Sequence, residues 1–267
     1  MNTPAPRSYL FVPAHRPDRY AKACAAGADA VIVDLEDAVP ADTKDEARRA
    51  LGAWLPAAPK VLVRINAVDT PWFGADLELC RFDAVAAVVL AKAERPQDIE
   101  HVSRHTGKPV VAQIESAHGI ANVIAIAEAR GTQRLAFGAI DLALDLGMVE
   151  EPDVLMPLRL QLALASRLSK LPAPIDGVTT AIDDVELTTE DTRRAKRLGF
   201  GAKLCIHPKQ VKVVHRAFAP SPEEVAWARR VMEAAQQSGG AAVAVDGRMI
   251  DTPVIGIAEQ ILRDAER

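Results

Sequence analysis

At 267 residues, 49% hydrophobic and 25% charged, the chain has the profile of a globular protein with length for one large α/β barrel or two smaller domains. Its net charge of −4, without a dominant Lys/Arg block, argues against nucleic acid or a membrane surface as the main partner, and no run reaches the roughly 18 apolar residues of a membrane span. Cys24, Cys80 and Cys205 are widely spaced and form no CxxC, which speaks against a zinc site or disulfide framework and for free thiols.

The opening MNTPAPRSYLFVPAHRP has no long apolar segment of the kind a signal peptide carries, so a cytoplasmic location is expected. From there, short aliphatic runs alternate with longer amphipathic stretches. Strands are predicted at Ser8–Pro13, Ala30–Leu35, Val61–Ile65, Val85–Ala91, Val110–Ile114, Leu135–Ala139, Pro174–Val178 and Lys203–Ile206. Most are apolar almost throughout, as strands covered on both faces are. Thr43 and Glu46 read as a capping box before EARRALGAWL, Thr188 and Asp191 open a helix that ends at Gly199, and residues 154–171 form another helix. Beyond the eighth strand, Ser221, Pro222 and Glu224 start a helix expected to stop at Ser238-Gly239-Gly240. The segment AAVAVDGRMIDTPV and a last helix follow.

Eight strands alternating with helices fit a closed parallel barrel or a doubly wound sheet. Polar residues end successive strand runs at Glu36, Arg64, Lys92, Glu115, Asp141, Asp176 and His207, at intervals of 23 to 35 residues. One βα unit of a barrel takes about 31 residues. The first turn, PAHRPDR, is no glycine-rich phosphate turn of an open sheet. The expectation is a (β/α)₈ barrel over residues 1–220, with a C-terminal helix, lid segment and final helix over 221–267.

The carboxyl ends of barrel strands converge on one rim, where active sites sit. Glu36, Arg64, Lys92, Glu115, Asp141 and His207 would then share it. Glu115 and Asp141 end adjacent strands, and a carboxylate pair suits Mg²⁺, a hard cation that keeps sites for water and substrate. Arg64 would face an anionic oxygen. Position alone leaves the plainer reading open for each: acids at strand ends often cap helices or pair with lysines, Lys92 suits a buried ion pair, and His101 and His105 lie in a polar stretch.

The blocks RSYLFVPAHRPDRYAKA, DAVIVDLEDAVPADTKDEAR, VRINAVDTPW, QIESAHGIANV, LAFGAIDLALDLG, APIDGV, GFGAKLCIHPKQV and DGRMID run nearly end to end and in order. On them the chain resembles the citrate lyase β-subunit-like family of the HpcH/HpaI aldolase and citrate lyase superfamily. The resemblance implies a (β/α)₈ barrel assembling as a homotrimer or trimer-based oligomer. It implies Mg²⁺ on Glu115 and Asp141, substrate on Arg64, thioester or nucleotide contacts from Phe11, Arg16 and Lys22, and an acid/base at Asp251 supplied by the tail of a neighbouring subunit. Ala14, His15, Ala91 and Ala202 depart from the usual pattern, and none of them touches the metal pair, Arg64 or Asp251.

The implied reaction is cleavage of a 3-hydroxy-3-carboxy acyl thioester of the citryl-, citramalyl- or malyl-CoA type, carried on CoA or an acyl-carrier protein, to an acetyl-type thioester and a 2-oxo acid. Glu36 is a candidate base for the hydroxyl proton, beside loss of that proton to solvent. The alternatives are a class II pyruvate aldolase acting on free hydroxy-oxo acids, and a non-catalytic subunit that docks a carrier protein.

Overall fold

The computed structural model describes residues 5–237 and 243–267, so the expected helix end at Ser238–Gly240 lies outside the described residues. The chain divides into two compact units, Met1–His215 and Arg216–Arg267. Among the described residues no helix is long and apolar enough to cross a membrane.

The first unit is a closed barrel of eight parallel strands in sequential order. They are β1 (Ser8–Pro13), β2 (Ala30–Asp34), β3 (Val61–Ile65), β4 (Val85–Leu90), β5 (Val110–Ile114), β6 (Thr132–Phe137), β7 (Ile175–Asp176) and β8 (Ala202–Cys205). Pairing of β1 with β8, Ser8 opposite Lys203, closes the ring. The intervening helices are α1 (Tyr20–Cys24), α2 (Lys44–Trp54), α3 (Phe73–Leu79), α4 (Pro96–Thr106), α5 (Ala117–Ala121), α6 (Val123–Glu128), α7 (Ala139–Asp145), α8 (Pro152–Leu168), α9 (Val185–Arg197) and α10 (Pro208–Phe218). This is the expected (β/α)₈ architecture.

The strands form where aliphatic residues can be buried on both faces, and alternation then assigns each side chain to a layer. Ile32, Leu62, Val89, Val111, Ala136 and Ile175 belong to one buried cluster with Tyr9 and Leu204. Residues two positions further along a strand share that face. Asp34 follows Ile32, Arg64 follows Leu62, and Gln113 follows Val111. A polar layer is thus stacked on the apolar one at the carboxyl ends of the strands.

Several element bounds differ from the expectation, β7 most of all, at two residues rather than five, and three local differences have a visible cause. Thr43 makes no side-chain cap; its hydroxyl donates to Pro40 O in a preceding tight turn. The α9 helix starts before Thr188, because Asp184 accepts from Leu187 N at 2.8 Å and is the true cap, while Asp191 is drawn to Thr179 and Arg194. Strand β6 begins at Thr132 rather than Leu135: the buried Arg134 guanidinium donates to Ala173 O and Pro6 O, so its charge does not exclude it from the sheet.

The second unit holds α11 (Pro222–Gln237), β9 (Val243–Val245), β10 (Arg248–Ile250) and α12 (Thr252–Ala265). The expected capping box opens α11: Ser221 N donates to Glu224 Oε2 at 2.7 Å and Glu224 N to Ser221 Oγ at 3.1 Å. Strands β9 and β10 form an antiparallel hairpin. Its turn, Asp246 (φ 49°) and Gly247 (φ 76°), takes the two left-handed residues that the hairpin twist requires. Ala228, Val231, Ile250 and Ala258 make this unit's own small core.

Candidate active site

Asp34 and Arg64 are register partners on β2 and β3, and both side chains are buried. The Arg64 guanidinium forks onto the Asp34 carboxylate, Nε to Oδ1 and Nη2 to Oδ2, each at 2.7 Å. Its Nη1 lies 3.0 Å from Glu36 Oε2, and its plane sits 4.8 Å from the Phe11 ring centroid. Burial opposes the charge, yet Asp34, Glu36 and Glu115 together hold the Arg64 pKa above its ordinary value. Asp34 also accepts from Glu36 N and Ala38 N, so one carboxylate orients both the arginine and the loop that carries Glu36.

Glu36 is buried and fully engaged. Its Oε1 accepts from Lys92 Nζ at 2.9 Å and its Oε2 from Asp37 N at 3.0 Å, besides Arg64. Burial pushes its pKa up, but Arg64 and Lys92 outweigh that and the net direction is down. Asp37 next to it is pushed up to about 6, by burial first and then by Glu36.

Lys92, two residues after β4, takes a left-handed conformation, φ 48°. That turn aims its backbone N–H at Glu115 Oε1, 2.7 Å away, while the ammonium reaches Glu36. Lys92 is therefore the ion-pair member that one sequence reading allowed. Glu115 follows β5, is 1% exposed, and accepts a second bond from Gln113 Nε2 at 2.6 Å. Burial, with the charges of Glu36 and Asp141, pushes its carboxyl up to about 8, against the opposing pull of Arg64 and Lys92 N–H. The Gln113 Oε1 is buried with no hydrogen-bond partner. A Cβ on Gly138, after β6, would stand 2.6 Å from Glu115 Cβ and closer still to Oε2, so only glycine lets the carboxylate lie there.

Asp141, in the first turn of α7, is half-buried and lines a cleft of about 350 Å³ together with Phe11, Asp34, Asp37, Arg64 and Gln113. Phe137, Ile140, Val178, Leu204 and Ile206 give the cleft an apolar wall. The structure thus gathers Phe11, Glu36, Arg64, Glu115 and Asp141 in and around one cleft at the carboxyl ends of the strands. Arg16 and Lys22 do not line it. Arg16 forks onto Asp18, at 2.9 and 2.8 Å, in the turn after β1, and Lys22 is exposed on α1. Asp251 belongs to the second unit, where its carboxylate accepts from Val254 N at 3.3 Å and caps α12.

Sequence reasoning did not single out Asp34, Gln113, Lys44 or Gly138. Lys44 Nζ donates to Leu35 O at 2.8 Å and Glu36 O at 2.9 Å and lies over the Trp72 ring, pinning the loop that presents Glu36. The signal for Asp34 and Gln113 was the period-two spacing from Ile32 and Val111, which puts them in the polar layer. Behind the cleft, Asp176 takes Arg159 Nε at 2.9 Å and Lys203 Nζ at 3.3 Å, all three buried.

Residues 7–208 match the model of the HpcH/HpaI aldolase/citrate lyase family. The citrate lyase subunit beta-like protein of Mycobacterium tuberculosis is 40% identical over 265 residues, covering 96% of this chain and 94% of the relative. The (3S)-malyl-CoA thioesterase of Cereibacter sphaeroides is 35% identical over 269 residues, covering 97% and 94%. The crystal structure of CitE from Mycobacterium tuberculosis in complex with magnesium, acetoacetate and coenzyme A superposes with a TM-score of 0.90 at 39% identity, over 98% of this chain and 99% of that one. With a closed eight-stranded barrel, an acidic cleft at its carboxyl rim and relatives aligned over nearly their whole length, the chain belongs to the HpcH/HpaI aldolase/citrate lyase family, as a citrate lyase β-subunit-like enzyme.

Proposed function

We propose that this protein is a Mg²⁺-dependent carbon–carbon lyase that cleaves a 3-hydroxy-3-carboxy acyl thioester to an acetyl-type thioester and a 2-oxo acid. The observation that carries the reading is Glu115, a buried carboxyl raised to about 8 and hemmed in by Gly138, on the same rim as the cleft-lining Asp141. Among the described residues no three His, Cys, Asp or Glu side chains gather as a metal cage. Two carboxylates fit Mg²⁺, which is held by few protein oxygens and completes its shell with water and substrate. Glu115 and Asp141 would hold the ion, which when bound supplies Lewis acidity to the hydroxyl and carboxylate oxygens of the substrate.

The rest of the chemistry belongs to the chain. Cleavage of the C2–C3 bond leaves its electron pair on the thioester fragment, while the hydroxyl loses a proton as the carbonyl forms. Arg64, pre-oriented by Asp34, supplies N–H donors to the negative charge that develops there, at no cost of reorientation. Glu36 has its lone pairs spent on Lys92, Asp37 and Arg64, which makes it a positioning group for Lys92 rather than the base for the hydroxyl. Asp251 is our choice for the proton that the thioester carbon takes up, delivered by the 221–267 segment acting as a lid from a neighbouring subunit of a trimer. Phe11, Arg16 and Lys22 are assigned to the thioester carrier. Support for CoA as that carrier comes from the relative solved with coenzyme A.

A second reading, hydrolysis of the thioester instead of carbon–carbon cleavage, is favoured by the relative named (3S)-malyl-CoA thioesterase. One assay separates the two: incubation with malyl-, citramalyl- and citryl-CoA, with Mg²⁺ or EDTA. A 2-oxo acid with acetyl-CoA marks the lyase, and free CoA thiol with an intact hydroxy acid marks the thioesterase. Asp141→Asn should abolish Mg²⁺-dependent cleavage in a folded protein, and full activity in that variant would reject the metal assignment. Mixed oligomers of Asp251→Ala and Arg64→Ala subunits should regain part of the activity if the lid acts between chains.

A further inference from the structure

The charges in the cleft are lopsided. Asp34, Asp37 and Asp141 bring three carboxyl groups to its lining, and Arg64 is the one cation among the described lining residues. That cation is already shared between Asp34 and Glu36. The next cation on the rim, Lys92, has its ammonium 2.9 Å from Glu36. Lys203 and Arg159 are buried against Asp176, and Arg159 lies behind the Phe137 ring, 4.6 Å from its centroid. The remaining wall, with Ile140, Val178, Leu204 and Ile206, offers a ligand no donor from its side chains.

The lyase reading above, on which this inference rests, assigns the α-hydroxy carboxylate of the substrate to the metal and the charge developing on the thioester fragment to Arg64. A carboxymethyl group on the carbinol carbon would bring a second carboxylate to Asp37 or to an aliphatic wall. Ile140 and Ile206 are partly exposed, so a carboxylate there keeps some water but gains no counter-charge, and the like charge of Asp37 disfavours it. A hydrogen or methyl group in its place meets only aliphatic contacts, which favour it.

We propose that this cleft selects thioesters whose 2-oxo acid half carries hydrogen or a small alkyl group, and rejects those that carry a second carboxylate there. Malyl- and citramalyl-type thioesters are then substrates, and citryl-type thioesters are not. Ile206 and Val178, which follow β8 and β7, are the specificity-determining residues, through the absence of a cation at either position.

The test is a panel of kcat/KM values for malyl-, citramalyl- and citryl-CoA with Mg²⁺. Citryl-CoA should fall at least about tenfold below the better of the other two, the scale of a like charge and a missing counter-charge at a partly exposed site. Ile206→Lys should narrow that ratio by about tenfold, as a counter-charge does, while the neutral Ile206→Met should not. Val178→Lys stands in if Ile206→Lys does not fold. Wild-type cleavage of citryl-CoA within a few-fold of the others overturns the proposal. So does a ratio that neither lysine variant narrows, since the selection would then come from shape rather than charge. Inactivity on all three thioesters would instead count against the lyase reading itself.

Discussion

The Arg64 guanidinium and the Asp34 carboxylate meet as a two-pronged pair, both contacts at 2.7 Å, with each side chain less than 10% exposed. A buried charge that loses its partner is left uncompensated, at a cost of about 3–5 kcal/mol. Asp34→Ala should therefore lower stability by roughly that amount, read by chemical denaturation. Asp34→Asn keeps one acceptor oxygen, so it should fold better than Asp34→Ala while freeing Arg64 to turn. Its kcat should drop more than its KM rises, because the lost contribution is orientation for the transition state.

Gly138 and Glu115 offer a sharper test of the metal assignment. A methyl group at 138 cannot coexist with the present Glu115 side chain. Gly138→Ala should cost about 1–3 kcal/mol of stability by overpacking. It should also raise the Mg²⁺ concentration needed for half-maximal activity. An unchanged Mg²⁺ titration in the folded variant would show that Glu115 does not hold the ion.

The pH response of the metal-free protein follows from the Glu115 carboxyl, raised from an ordinary 4.5 to about 8. A group with a raised folded pKa contributes stability that is fully present below its ordinary value and lost as pH rises through the folded one. In EDTA the wild type should lose stability between about pH 5 and 8. Glu115→Gln should lose less, so the gap between the two should turn in the variant's favour at the alkaline end. The Gln113 Oε1, buried without a partner, is available to accept from the new amide once that side chain turns over. Melting curves across this range, with and without Mg²⁺, provide the check.

Asp176 predicts the opposite limb. It is buried, and although burial raises its pKa, Lys203 and Arg159 outweigh that and hold it below the ordinary carboxylate value. Its contribution is then present above that ordinary value and lost as pH falls through the lowered one. The wild type should weaken on acidification below about pH 4. Asp176→Asn should be less stable at neutral pH by about 3–5 kcal/mol, since Lys203 and Arg159 lose their counter-charge. It should also show a flatter acid limb in urea denaturation from pH 3 to 7.

The amino-acid sequence by itself determined the eight strands, their order and the rhythm that makes them a barrel. Aliphatic runs of strand length separated by amphipathic helices leave few other ways to bury both faces of a parallel sheet. It also determined which residue types end the strands, hence Glu115, Asp141 and Arg64 as candidates. Boundaries were legible where one local signal dominated, as at Ser221 and Glu224, and failed where two caps competed, as at Asp184 and Thr188. The Asp246–Gly247 hairpin had its Asp-Gly signal in plain view, but the strands beside it are only three residues each.

Only the tertiary structure decided how the charges pair. Nothing local to Asp34 says that its partner lies 30 residues on; the β2–β3 register brings the two side by side. The β5–β6 register likewise sets Gly138 against Glu115, and a single left-handed residue turns Lys92 so that its N–H and its ammonium hold two different glutamates. Arg16 is drawn to Asp18 and Lys22 is exposed on α1, neither lining the cleft, and Asp251 caps α12 within the second unit. Periodicity assigns a residue to a face, but charge pairing depends on register and closure, and those are properties of the whole barrel.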